Sequence, residues 1–242
     1  VLTTDYGSGL VANLDIGAGY GPEGSSGFRF SGEDVELVCF AAGTPILTPS
    51  GEVPVERLAP GDRVTTLQDG ALVPATVEWI GYRTIDPARH PHPDRVCPVR
   101  IRRHAFAPNV PHRDLLLSLD HAVFVDGVLV PAKFLINGDT VVQDRRRTAI
   151  TYFHVELTLH AVVLAAGLPT ESYLDDGNRG WFANGGPVVA HHPDFSVRAW
   201  DAASCAPMVI TGAALDAVRD RLASRARILR QKAVSPPRRR RA

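Results

Sequence analysis

The chain is poor in cysteine, and the three it has, Cys39, Cys97 and Cys205, form no CxxC pair. That odd, scattered set excludes a disulfide framework and a cysteine-rich zinc site, and it leaves at least one thiol free. Also missing is any run of about 18 apolar residues able to span a bilayer. The start, VLTTDYGSGL, has neither the basic nor the apolar region of a secretory signal. Excess charge is absent too: 26 Lys and Arg balance 26 Asp and Glu, so bulk electrostatics points to no nucleic-acid partner and no acidic substrate. Without a GxxxxGK(S/T) or GxGxxG loop, neither nucleotide chemistry nor a nucleotide cofactor is expected. What is present is apolar material: 45% of 242 residues are hydrophobic, enough to fill one large core or two small ones.

The chain divides into three parts. Residues 1–38 are rich in Gly, Ser and Asp, as in GAGYGPEGSSGFRFSGED, and read as a loop-rich leader or the end of an upstream region. Residues 39–176 alternate short apolar runs (TPILT, RVTTL, TVEWIGY, CPVRI, LLLSL, AVFVDGVLV) with Gly, Pro and Asp, the pattern of an all-β domain. Residues 177–242 open with a Gly/Pro/Asn connection. An amphipathic helix follows, with Leu215, Val218, Leu222, Ala226 and Leu229 at helical spacing and Thr211 as its expected N-cap. Pro236 and Pro237 stop it, leaving Arg238 to Arg241 as a solvated tail.

The β region contains a repeat. EVPVERLAPGDRV (Glu52 to Val64) and LVPAKFLINGDTV (Leu129 to Val141) align without gaps at six identical positions. Two copies of one strand-turn-strand unit, each too small to bury its apolar face alone, are expected to fold together about an approximate two-fold axis. Gly61 and Gly138 then supply equivalent turns.

Chemistry is concentrated in three stretches. A lone cysteine such as Cys39 is most simply a small buried hydrophobe; its place at the head of CFAAGTPILTPSGEVPVERLAPGDRV offers a second reading, a nucleophile at a boundary. This stretch resembles the opening block of the Hint family of hedgehog autoprocessing domains, inteins and bacterial intein-like domains. LLLSLDHAVFV resembles the second block, with Ser118 in place of Thr and His121 as the histidine. FHVELTLHAVVLAAG resembles the late block, with Glu156 where inteins carry Asp and His160 as the following His. The likeness runs from about Cys39 to Leu174 and is nearest the bacterial intein-like subclass.

The resemblance implies a duplicated, pseudo-two-fold horseshoe. It also implies a self-processing cysteine autoprotease that acts once, in cis, with its own N-terminal segment as substrate. Cys39 would attack the Val38 carbonyl to form a thioester, which water or a small nucleophile resolves. His121, with a near-neutral pKa, would protonate the leaving amide nitrogen, and Ser118 would hydrogen-bond the scissile peptide. In the late block, strand alternation puts Tyr152, His154, Glu156, Thr158 and His160 on one face, where Glu156 would orient His160 or help deprotonate Cys39. The other reading of that face is the solvated side of an antiparallel sheet.

Departures from the family pattern narrow the outcome. After Gly167 the chain reads Leu168, Pro169, Thr170, Glu171, Ser172, without the His-Asn pair that completes splicing, so cleavage without splicing is expected. The sterol-activating Asp of hedgehog domains falls near Tyr82, and the nearest acids, Glu78 and Asp86, are out of register. A metal set of His90, His92 and Cys97 lacks a fourth ligand, so no metal is expected. The competing function is a catalytically silent Hint-fold interaction or export-associated module. A cysteine hydrolase acting in trans is disfavoured because Cys39 precedes a strand.

Overall fold

In a computed structural model, residues 2–5, 11–14, 38–175, 179–187 and 202–234 are described. His191, His192 and the arginines 238–241 lie outside them. Within residues 1–38, β1 (Leu2–Asp5) and β2 (Val11–Leu14) pair antiparallel, regular structure that a loop-rich reading does not anticipate.

Two copies of one unit make the body. The first runs through β3 (Phe40–Ala41), the hairpin of β4 (Pro45–Thr48) and β5 (Gly51–Pro54), a short 3-10 turn, β6 (Arg63–Gln68) and the long β7 (Ala71–Ile85). A one-turn α1 (Pro93–Val96) and β8 (Val99–Ile101) lead to the second copy. There β9 (Leu115–Leu117), β10 (Ala122–Val125), β11 (Val128–Pro131), another 3-10 turn, β12 (Val141–Gln143) and β13 (Ile150–Leu157) follow in the same order. The turn bonds repeat as well. Val55 N–H donates to Thr44 O at 2.8 Å, and Ala132 N–H donates to His121 O at 3.0 Å, so His121 takes in the second copy the place Thr44 holds in the first. Gly61 (φ +92°) and Gly138 (φ +74°) both occupy the left-handed region that the shared Gly-Asp turn requires.

The interval that carries Glu52 onto Leu129 also carries Phe40 onto Leu117 and Trp79 onto Glu156. Both of these equivalent pairs are register partners, Phe40 with Leu117 and Trp79 with Glu156. An antiparallel pair of equivalent residues straddles a two-fold axis, so the axis runs through these two crossings. The result is the all-β, duplicated horseshoe.

Its two wings meet at β7, which pairs with β6 through Ala71–Thr76 and with β13 through Val77–Ile85. One wing continues from β6 to β14 (Val162–Ala165), β15 (Leu168–Glu171), β10 and β11; the other continues from β13 to β3, β9, β8 and β12. The core lies between them, with Ile46, Val64, Leu117, Val130, Val163 and Leu168 all buried.

The expected helix is present as α2 (Ala213–Val234). It starts after Gly212, whose carbonyl accepts from Asp216 N–H at 3.1 Å, so the start falls one residue past the position a Thr211 cap would give. Leu215, Val218, Leu222 and Ala226 are buried, the first three in the same cluster as Val130 and Leu135. At roughly 1.5–3 kcal/mol per buried aliphatic side chain, this face fixes the helix to the second copy. Arg219 Nε donates to Phe134 O at 2.8 Å and Arg225 Nε to His104 O at 2.9 Å, anchoring its flanks.

Candidate active site around Cys39

Cys39 sits immediately before β3, beside the axis, with 0% of its surface exposed. Because β3 pairs with β9, the end of β9 delivers Ser118 to the Cys39 backbone. Ser118 N–H donates to Cys39 O at 2.9 Å, and Cys39 N–H donates to Ser118 Oγ at 2.7 Å. That donating nitrogen belongs to the Val38–Cys39 peptide. First-copy cysteine and second-copy hydroxyl thus meet across the duplication.

His121 is buried with its ring against Phe40, centroids 4.2 Å apart, and neither ring nitrogen has a hydrogen-bond partner of good geometry. Burial pushes its pKa down to about 3, outweighing the opposing pull of the nearby Cys39 and Glu171 backbones. The near-neutral pKa expected from the sequence is therefore corrected: at neutral pH this imidazole is uncharged.

β13 places a residue whose role the sequence reading did not assign. His154 Nε2 lies 3.7 Å from Cys39 Sγ, and the ring is 2% exposed. Burial, together with His121, holds its pKa well below the usual histidine range. Burial raises the Cys39 thiol pKa, and the positive charge of Arg83 partly offsets that. His154 is therefore a neutral imidazole facing a protonated thiol. Tyr152, two residues earlier on the same face, is also buried and donates to Val96 O at 2.8 Å, so this end of the face is interior rather than solvated.

Glu156 and His160 do not meet. β13 ends at Leu157, so the strand on which the expected polar face rested does not reach His160, and the register shift beside Glu156 leaves Glu78 of β7 as the extra residue. Glu156 does not orient His160. Its carboxylate is bound by the Arg179 guanidinium, with Nε to Oε2 at 2.9 Å and a second, shorter bond from Nη2. His160 instead joins Glu171: its Nε2 is 3.1 Å from Ser172 O and 3.6 Å from Glu171 Oε2, while Cys205 N–H donates to Nδ1 at 3.0 Å. Glu171 Oε1 in turn accepts from Ala122 N–H at 2.6 Å, one residue past His121. The pair thus braces the strand that carries His121. Plain strand alternation already set His154 beside Tyr152 on this face; nothing in the sequence pointed to Glu171 or Cys205.

The remaining candidates fall elsewhere. Tyr82 is 44% exposed, and His90 Nδ1 accepts from His92 N–H within its own loop, while Cys97 is buried. Among the described residues no three metal-ligating side chains converge. No described helix is long and apolar enough to cross a membrane.

No curated protein matches the chain in sequence. Among solved structures, the bacterial intein-like domain from Clostridium thermocellum is similar at 18% identity and TM-score 0.41, covering 57% of this chain and 100% of that one. The MchDnaB-1 intein is similar at 15% identity and TM-score 0.39, covering 55% and 99%. A DnaB intein from Synechocystis sp. PCC 6803 is similar at 12% identity and TM-score 0.38, covering 56% and 98%. A family profile described as Hint domain matches residues 38–177, more than half of the 242 residues. With its internal duplication and its Cys39-centred site, the chain belongs to the Hint domain family.

Proposed function

We propose that the chain cleaves itself after Val38 through an autocatalytic N–S acyl shift, without splicing. Sγ of Cys39 adds to the Val38 carbonyl carbon, the C–N bond breaks, and a thioester joins Val38 to Cys39. The thiol proton is lost from Sγ and one proton is gained by the freed nitrogen. Water or another small nucleophile then adds to the same carbon and releases residues 1–38. The observation that carries this reading is the 2.7 Å bond from Cys39 N–H to Ser118 Oγ, a polar contact on the leaving nitrogen itself.

Residue roles follow from reach for His154 and Ser118, and for His121 from the Hint-block resemblance. His154, 3.7 Å from Sγ, takes the thiol proton. His121 serves the nitrogen; with a pKa of about 3 its rare protonated form is a strong acid, suited to a poor amide leaving group. Ser118 holds the scissile peptide in position. His160 and Glu171 position the strand bearing His121, and Glu156 acts through Arg179.

Dithiothreitol or hydroxylamine added to the purified chain is expected to yield a fragment starting at Cys39, resolved by mass spectrometry, because both capture thioesters far faster than amides. Cys39→Ala should stay whole, Cys39→Ser should be slower, and Cys97 and Cys205 variants should behave as the parent. The complete burial of Cys39 favours a second reading, a silent Hint module used for interaction or export. A folded parent that stays intact after long exposure at neutral pH would establish that one.

A further inference from the structure

The segment Arg179–Gly185, just beyond the family match, is built against the site. Phe182 is 4% exposed. Its ring lies 4.2 Å from that of His154 and meets Trp79 edge-on at 5.4 Å and 88°. Asn184 clamps the segment to β7, accepting from Tyr82 N–H at 3.2 Å and donating to Ile80 O at 2.7 Å, and Ala183 N–H donates to Tyr82 O at 2.9 Å. Arg179 stacks on Trp79 at 5.1 Å while holding Glu156. Gly185 packs so closely on this loop that a Cβ there would lie 1.6 Å from Arg179 O.

Phe182 belongs to two environments. On one side it is part of the apolar cluster that encloses Cys39, with Ala41, Ile85, Ile150 and Tyr152. On the other it lines a cavity of about 460 Å3 together with Tyr82, Arg83, Thr84 and Trp181.

We propose that Phe182 is the partition between Cys39 and this cavity, and that the nucleophile resolving the thioester enters through the cavity, past Phe182, as a small neutral or anionic species. The guanidinium of Arg83 in the wall attracts anions and repels cations. This deepens, and rests on, the acyl-shift reading. In the step concerned the acceptor's X–H adds to the Val38 carbonyl carbon, the C–X bond forms, the C–S bond to Cys39 breaks, and the acceptor's proton ends on Sγ. With the ring in place, water and bulky acceptors are held off until they displace it, so Phe182 is a specificity-determining residue.

Alkylation of the full chain tests the partition without requiring any cleavage. Native protein is treated with iodoacetamide or iodoacetate, and the rate at Cys39 is read by mass spectrometry against exposed Cys205 as internal reference. Phe182→Ala is expected to raise the Cys39 rate roughly tenfold or more, since thiol reactivity follows access. Asn184→Ala, which releases the clamp without touching the core, should raise it less. Adding Arg83→Gln to Phe182→Ala should slow iodoacetate relative to iodoacetamide. Unchanged Cys39 rates in both single variants, with native circular dichroism, would overturn the partition, and an unchanged reagent ratio would overturn the entrance. A chain that alkylates as expected yet is never cut by dithiothreitol would keep the partition and remove the acyl shift. A chain that is cut but ignores both variants would do the reverse.

Discussion

Cys39 and Ser118 hold each other by reciprocal bonds: the serine amide donates to the cysteine carbonyl at 2.9 Å, and the cysteine amide donates to the serine hydroxyl at 2.7 Å. The first is an ordinary ladder bond and survives substitution; the second depends on one oxygen. Ser118→Ala therefore leaves a buried N–H unsatisfied, expected to lower stability by about 1–3 kcal/mol. It should also slow cleavage after Val38 by a factor of about a hundred. Ser118→Thr keeps the oxygen and should restore most of both. Denaturant melts and timed mass spectrometry separate the two effects; a Thr variant as slow as Ala would show that the hydroxyl has no part in the reaction.

Acid should unfold this domain through two of its buried imidazoles, those of His121 and His154. His121 and His154 have native pKa values below the free value of 6.5, to about 3 for His121 and well below normal for His154. The unfolded chain therefore binds protons first as pH falls, and their contribution to stability, full above 6.5, is lost on the way down toward those native values. Melting temperature is expected to decline progressively below pH 6.5, and His121→Gln and His154→Gln should each flatten that limb. Parallel limbs in parent and both variants would contradict the assignment.

Leu222 tests whether the helix past the family match is part of the fold. It is 1% exposed and shares a cluster with Val130 and Leu135. Leu222→Ala should cost about 2–5 kcal/mol in chemical denaturation. A change near zero, with a single cooperative transition retained, would mean that α2 melts separately.

Gly185→Ala adds a methyl where Arg179 O lies 1.6 Å from the ideal Cβ. Because a backbone carbonyl cannot swing aside like a side-chain tip, the loop should open, at about 1–3 kcal/mol, the usual scale of overpacking. Tryptophan emission, to which Trp79 and Trp181 contribute alongside Trp200, should shift to the red; an unchanged spectrum would show that the loop absorbs the methyl in place.

The duplication and the strand-rich domain were legible in the sequence because contiguous residues carry them: identical turns and short apolar runs. The bond between Cys39 and Ser118 joins residues 79 apart, and only the resemblance to the Hint blocks pointed to it. His154 was hidden by its own strand. Alternation put it on a face with Glu156 and His160, but the strand stops at Leu157 and Glu156 is held by Arg179, and nothing in TYFHVELTLH singles out His154 as the one that reaches Cys39. Phe182 was hidden for another reason. Its neighbours Gly180, Asn184, Gly185 and Gly186 have the composition of a linker, although close packing is what Gly185 serves there. The acidity of His121 was out of reach because burial, not residue type, determines it.

The pairing of Phe40 with Leu117 across the two-fold axis also sets the order of events in the life of the chain. Thiol and hydroxyl come from different copies, 79 residues apart, so neither half holds the Cys39–Ser118 contact alone. On the proposed acyl shift, a chain emerging from the ribosome would carry Cys39 early yet leave the Val38 bond untouched until the second copy has been made and docked. Timing would then be written into topology, with the N-terminal segment keeping its covalent link through the whole of synthesis and folding.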